Sequence, residues 1–198
     1  MRVRTEARRQ AIIAVAGELF LKAGYGATSM AQIAVEVGGS KATLYGYFPT
    51  KAELFSAFVA ETGASIFREL ELLDLAGLDL AAALGRLGLA YLRLMLSPRA
   101  IGVHRVVIAE AGRFPELGQL FFENGRRHTV DRVARMLSAL ADAHERPALA
   151  SSDAVSHFRG LIEAGLYERR LLGAEVDLSA DIEASVRSAV ACFLRGCG

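Results

Sequence analysis

The apolar residues of this sequence are spaced with a helical period almost from end to end. In residues 10–22 the apolar side chains recur three or four positions apart, which places them on one face of an α-helix. The same spacing returns at 84–95, 130–140, 153–172 and 179–195, and alternation of period two never lasts for the length of a strand. The four prolines lie between these segments or in their first turns, where a missing N–H is tolerated. We therefore predict an all-α fold of about nine helices.

Short helices are expected between residues 28 and 60, because three helix-start signals follow one another closely. Ser29 and Thr50 each begin a capping box, and Ser40 can cap a helix that begins at Lys41. The pair Gly38-Gly39 comes directly before that cap and can adopt the positive φ of a sharp turn. This order of short helix, glycine turn and short helix is typical of a helix-turn-helix.

The two faces predicted for this motif suit a DNA groove. The apolar side chains expected to point inward are Met30, Ile33, Ala34, Val37, Leu44 and Phe48. The outward or lateral face of the second helix then carries a cation, a hydroxyl and two phenols, at Lys41, Thr43, Tyr45 and Tyr47. Such groups can reach base edges in a major groove and bind the flanking phosphates.

Charge divides the chain at the same place. Residues 1–51 carry seven basic and three acidic side chains, a net charge of +4, so the remainder carries −3 and the whole chain only +1. The N-terminus holds Arg2, Arg4, Arg8 and Arg9, which form either a solvated terminus or an arm that reaches phosphate or the minor groove. The basic head is therefore the part expected to meet DNA.

A signature of fixed spacings runs through this head and a few residues beyond it. It consists of Gly24-Tyr25, Thr28-Ser29-Met30, Ile33-Ala34, Gly38, the run from Ser40 to Tyr45, Tyr47-Phe48, Pro49, Lys51 and Leu54-Phe55. At these residues the chain resembles the TetR family of bacterial transcriptional repressors. Gly39 and Gly46 depart from the pattern, since the family commonly has an apolar residue at the first position and a larger side chain at the second.

The resemblance implies a role for each matching residue. Thr28 and Ser29 would lie near phosphate at the start of the second helix, and Ser40 would begin the recognition helix. Lys41, Ala42 and Thr43 would meet bases. The residues that would grip the DNA backbone are Tyr45, Tyr47 and Lys51.

A second, shorter resemblance covers residues 105–117, with His104 before them. This segment is similar to the C-terminal domains of AefR-like TetR regulators, which implies a domain for ligand binding and dimerisation. The apolar content of 53% exceeds the roughly 45–50% usual for soluble domains, as a pocket or subunit interface would require. The candidates for an apolar pocket, which are otherwise plain core residues, are Tyr91, Met95, His104, Phe114, Phe121 and Phe122.

These observations predict a homodimeric transcriptional repressor with two domains. Residues 1–51 form the helix-turn-helix head, and residues 52–198 form a helical domain for ligand sensing and dimerisation. The expected partners are a palindromic double-stranded operator, a second copy bound through the last two helices, and a small, largely apolar ligand that releases the DNA. A competing hypothesis is a helical small-molecule binding protein or enzyme with a vestigial DNA-binding head, which Gly39 and Gly46 keep open.

No catalytic residue, cofactor or metal site is predicted. The four histidines have separations that match no ligand pair on one helix, and neither a nucleophile elbow nor a glycine-rich phosphate loop is present. Cys192 and Cys197 are too few and too close to build a disulfide framework. Without a membrane-length apolar run or a signal peptide, the expected location is the cytoplasm.

Overall fold

The computed structural model describes residues 5–175, 177 and 181–196, and for residues 65–69 and 71 it describes the backbone alone. Within these residues every regular element is a helix, which confirms the predicted all-α fold. Arg2, Arg4, Cys197 and residue 179 lie outside the described residues. The α-helices are α1 Glu6–Ala23, α2 Met30–Glu36, α3 Lys41–Tyr47, α4 Lys51–Glu71, α5 Leu80–Met95, α6 Pro98–Glu110, α7 Pro115–Phe121, α8 Arg127–Ala143, α9 Ser152–Glu163, α10 Leu166–Leu171 and α11 Asp181–Gly196.

The described part therefore has eleven α-helices, and one of the additional helices comes from a break inside the predicted segment 153–172. Ala164 leaves the helical conformation, and Gly165 follows with φ of +81°, in the left-handed region that favours glycine. The chain therefore stops at Glu163 and starts a new helix at Leu166. A single turn of π-helix, Phe122–Arg126, links α7 to α8.

The first of two compact units contains residues 5–63 together with 102–126. It includes the whole helix-turn-helix and the first half of α4. Its core is built around phenylalanines from α1 and α4, with Phe20 and Phe55 in edge contact at 5.3 Å between ring centroids. That residue 51 ends the DNA-binding domain remains a prediction. The hydrophobic core that contains the helix-turn-helix also includes residues after 51.

The second compact unit contains residues 64–101 and the described residues from 127 onward. Its core is formed by α5, α8, α9 and α11, and includes Leu84, Leu87, Phe158 and Phe193. Phe158 and Phe193 meet edge to face at 5.2 Å between ring centroids. The last helix therefore contributes directly to this core.

No single described helix is long and apolar enough to cross a membrane. Helices α5 and α6 pass that test by length and composition only when they are taken together across the bend between them.

Candidate nucleic-acid interface

The three predicted helix starts are confirmed by their capping hydrogen bonds. Ser29 Oγ accepts from the N–H of Gln32 at 3.2 Å, and Gln32 Oε1 accepts from the N–H of Ser29 at 2.9 Å, which completes the capping box. Ser40 Oγ accepts from the N–H of Thr43 at 3.1 Å. Thr50 Oγ1 accepts from the N–H of the residue three positions later at 3.1 Å. Local sequence alone therefore determines where α2, α3 and α4 begin.

Burial divides α2 and α3 into the two predicted faces. The inward side chains of Met30, Ile33, Ala34, Leu44 and Phe48 are buried, and Val37 is partly buried against the same core. On α3, Lys41 and Ala42 are exposed, and Tyr45 keeps 48% of its surface exposed. Thr43 and Tyr47 are half-buried at the sides. The structure thus presents one continuous face of α3 that can enter a groove.

The side chain of Thr28 points inward and not toward a DNA surface. It is only 2% exposed, and its hydroxyl is shared between the carbonyls of Gly24, at 2.8 Å, and Leu19, at 3.2 Å. Thr28 therefore secures the turn before α2, and its main-chain N–H is also used within the turn, where it donates to the carbonyl of Tyr25 at 3.3 Å. Ser29 is exposed at the start of α2, where a helix N-terminus favours an anion.

Two hydrogen bonds tie the beginning of α1 to the helix-turn-helix. Tyr47 Oη accepts from the N–H of Thr5 at 3.0 Å, which leaves its own hydroxyl proton for another acceptor such as a phosphate. Arg8 Nη2 donates to the carbonyl of Gly38 at 3.2 Å. A Cβ on Gly39 would lie 2.8 Å from that Nη2, so this glycine, which departs from the pattern described above, leaves room for the arginine. Sequence reasoning missed this pairing, because Arg8 and Gly39 are far apart along the chain.

Lys51 supports the turn between α1 and α2. Its Nζ donates to the carbonyl of Tyr25 at 2.7 Å and to that of Thr28 at 2.8 Å, and lies 4.2 Å from the centroid of the Tyr25 ring. Burial lowers the pKa of Lys51, an effect opposed by the charge of Glu110. An ammonium has three N–H donors, so one remains for the predicted phosphate contact.

Glu110, at the end of α6, also binds this turn. Both of its carboxylate oxygens accept from the N–H of Gly26, at 3.0 and 2.8 Å. Phe114 follows closely and packs edge to face on Tyr25, with 5.2 Å between ring centroids. The sequence signal for Glu110 lay inside the segment 105–117, but nothing in the sequence pointed to its partner.

The six predicted pocket residues belong to two different compact units. Tyr91 and Met95 are buried in the core of the second unit. The other four belong to the first unit, where His104 meets Phe121 edge to face at 4.9 Å, Phe114 packs on Tyr25 and Phe122 is 60% exposed. Their membership in one ligand pocket remains a prediction.

Tyr91 is part of a buried polar cluster between α5 and α9. Its hydroxyl hydrogen-bonds to Glu163 Oε1 and accepts from Arg159 Nε at 3.1 Å, while Arg159 Nη2 donates to Glu163 Oε1 at 2.9 Å. Burial is the main reason that the pKa of Tyr91 rises well above its usual value, so the phenol stays protonated and donates to the carboxylate. The polar groups of the cluster therefore satisfy one another.

A cavity of about 440 Å³ opens between the end of α4 and α8 in the second unit. Its lining is mostly apolar and includes Leu70, Leu73, Met136 and Leu140, with two cations, Arg132 and Arg135, on the α8 side. None of the six predicted pocket residues lines it. Among the described residues, no group of three or more His, Cys, Asp or Glu side chains could hold a metal ion.

Small residues lie exposed on the predicted dimer helices. On α9 and just after it, Gly160, Ala164 and Gly165 are exposed, and on α11 the exposed small residues include Ala184 and Ala191. A Cβ added to Gly160 or Gly165 would meet no atom within 4 Å in this chain. Both positions are therefore open to solvent in this chain.

Comparisons with known proteins match both parts of the chain. Residues 12–58 match the family described as bacterial regulatory proteins of the tetR family, and residues 82–196 match the C-terminal domain of AefR-like transcriptional repressors. A comparison with curated proteins found no match.

Solved structures resemble the chain over nearly its whole length. A structure named the flavonoid-responsive regulator FrrA is 31% identical, covers 97% of each chain and has a TM-score of 0.80. A TetR-family transcriptional regulator from Mesorhizobium loti is 24% identical, covers 98% of each chain and has a TM-score of 0.82. A TetR transcriptional regulator from Agrobacterium tumefaciens is 26% identical, covers 96% of this chain and 94% of its own, and has a TM-score of 0.71.

Proposed function

Because this chain belongs to the TetR family of bacterial transcriptional regulators, with an AefR-like C-terminal domain, we propose that it is a homodimeric repressor that binds a palindromic operator and is released by a small ligand. The observation that carries the proposal is the outward face of α3. Lys41, Ala42 and Tyr45 are exposed on a helix whose other side is fastened by the buried Leu44. This is the arrangement that a recognition helix needs to enter a major groove.

The proposed contacts divide into base readout and backbone grip. Lys41, Ala42 and Thr43 stand at the N-terminal end of α3, the end that reaches base edges in helix-turn-helix complexes. Tyr45 and the free proton of Tyr47 would bind phosphates at the sides. In a dimer, the two recognition helices would enter successive major grooves about 34–36 Å apart, which accounts for a palindromic site.

Dimerisation is proposed through α9, α10 and α11. The exposed small residues on these helices would allow the backbones of two copies to approach closely. Removal of α11 would be a poor test of the interface, because Val186 and Phe193 belong to the core of the second unit. A single exposed substitution tests it better.

The ligand is proposed to bind in the second unit. The cavity between α4 and α8 falls in the range of about 300–1,000 Å³ typical of small-molecule sites. Its apolar wall suits an aromatic or aliphatic molecule, and Arg132 and Arg135 would favour an acidic or phenolate group on it. The relative named as flavonoid-responsive makes flavonoids the first ligands to test. Release requires that the ligand bind the conformation that cannot fit DNA more tightly than the one that can.

The test begins with selection of bound DNA from a random pool, followed by fluorescence anisotropy on the selected site. Lys41→Ala and Tyr45→Phe are expected to weaken operator binding and leave the oligomeric state unchanged. Arg146→Ala is the matched control, since it removes one exposed positive charge from the second unit and is expected to bind as the parent does. A parent protein that binds neither the pool nor random DNA at low salt would contradict the proposal and favour the vestigial head.

A further inference from the structure

We infer that Glu110 is a positioning residue for DNA binding, which holds the turn between α1 and α2 and thereby places the start of α2. The inference rests on the proposed function, since its main readout is operator affinity. Glu110 belongs to the segment that matches the AefR-like C-terminal domain, yet it packs in the compact unit that contains the helix-turn-helix.

The turn is shaped around the Glu110 carboxylate. Gly26 donates its N–H to both carboxylate oxygens, at 3.0 and 2.8 Å. A Cβ on Gly24 would lie 2.5 Å from Oε1, and a Cβ on Gly26 would lie 2.6 Å from Oε2. Gly24 also needs its freedom to adopt φ of +86°, whereas Gly26 has no positive φ to explain it. A side chain at residue 26 would therefore displace the Glu110 carboxylate from the Gly26 N–H and press on the adjacent ring of Phe114.

Charged side chains bind both the N–H and the carbonyl groups of the turn. The N–H of Gly26 donates to Glu110 from α6. The carbonyls of Tyr25 and Thr28 accept from Lys51 of α4. The Tyr25 ring between them packs on Phe114 and lies under the Lys51 ammonium. Hydrogen bonds to ionised groups are the stronger kind, so Glu110 and Lys51 together restrain the turn through its N–H and carbonyl groups.

The restraint continues directly into the proposed DNA contacts. Thr28, at the end of the turn, bonds back to Gly24, and Ser29 is the N-cap of α2. A displacement of α6 by about 1 Å would stretch the bonds to Gly26 beyond the length of a hydrogen bond. The position of α6 therefore controls how firmly the start of α2 is placed against a phosphate.

The decisive experiment compares Glu110→Ala, Gly26→Ala and the double variant by operator anisotropy. Each single variant is expected to weaken binding about tenfold, the effect of losing one hydrogen bond to a charged group. The double variant is expected to be no more than about twofold weaker than Glu110→Ala, because the new methyl group then has no carboxylate to displace and needs only a small shift of the Phe114 ring. Full multiplication of the two effects would overturn the inference.

The sign of the effect separates positioning from simple electrostatics. Removing a negative charge from the head should by itself tighten DNA binding, because phosphate repulsion falls. Glu18→Ala makes the same charge change at an exposed position of α1 and is the matched control, with affinity expected to be equal or slightly higher. Glu110→Gln keeps an acceptor for the N–H of Gly26 and is expected to stay within about threefold of the parent.

Hydrogen exchange of the Gly26 amide gives a readout without DNA. Exchange is expected to accelerate about tenfold in Glu110→Ala and to stay slow in Glu110→Gln. If the parent binds no operator, the proposed function fails, while slow Gly26 exchange that depends on Glu110 still supports the restraint. If the parent binds and both Glu110→Ala and Gly26→Ala bind equally well, the inference is overturned. If Glu110→Ala does not fold, the operator affinities of Gly26→Ala and Glu110→Gln are compared instead. The inference then requires weaker binding by Gly26→Ala than by Glu110→Gln.

Discussion

Replacing Arg159 by methionine is expected to lower the free energy of unfolding by about 3 kcal/mol. The side chains of Arg159 and Glu163 are only 8% and 16% exposed, and their nitrogen and oxygen lie 2.9 Å apart. Removing one member of a buried pair costs roughly 3–5 kcal/mol, because the remaining charge is left without compensation. The lower end applies here, since Glu163 keeps the hydrogen bond from Tyr91 and some access to solvent.

Thermal unfolding and urea unfolding, each followed by circular dichroism, measure this change. For a chain of this length, 1 kcal/mol corresponds to a shift in Tm of about 2–4 °C, so Arg159→Met is expected to melt about 6–12 °C lower. The midpoint in urea should fall while the slope m stays the same.

A second variant identifies the cause of that loss. Arg159→Met/Glu163→Gln removes the uncompensated charge and keeps an oxygen that accepts from Tyr91. It is expected to recover about 2 kcal/mol relative to the single variant, because apolar or neutral replacements of a whole ion pair are often tolerated. If the double variant is as unstable as Arg159→Met, the loss comes from packing of the arginine stem and not from an uncompensated charge on Glu163.

Two further predictions concern the interface and the unusual glycine. Gly160→Arg is expected to produce monomers by analytical ultracentrifugation, because a long charged side chain at the proposed interface would keep the two copies apart; Gly85→Arg, at an open position outside that interface, is the control and should remain dimeric. A dimer with unchanged affinity in Gly160→Arg would contradict the proposed interface. Gly39→Val, which restores the residue type common in the family, is expected to change operator affinity by less than about threefold. Its Cβ meets only the movable end of Arg8, and the hydrogen bond from Arg8 to the Gly38 carbonyl that it would displace is exposed. A tenfold loss would show that this hydrogen bond is needed for DNA binding.

The helix-turn-helix could be predicted in detail because its signals are local. The hydroxyls of Ser29, Ser40 and Thr50 cap amide groups three residues away, so a short stretch of sequence contains both partners. The inward face of α3 followed from the spacing of Leu44 and Phe48, both of which are buried. The break at Gly165 was missed, because helical periodicity continues across it and only the backbone shows the positive φ.

The type of fold, the helix starts and the outward face of α3 therefore follow from local sequence. Each of these depends on residues within one or two helical turns of each other. The tertiary structure alone decided the partners of distant groups: Glu110 with Gly26, 84 residues apart, Arg8 with Gly38, and Arg159 with Tyr91. The sequence shows which side chains are charged or polar and therefore need a partner when they are buried. Which partner each one meets depends on which helices pack together, and the period of the apolar residues does not contain that information.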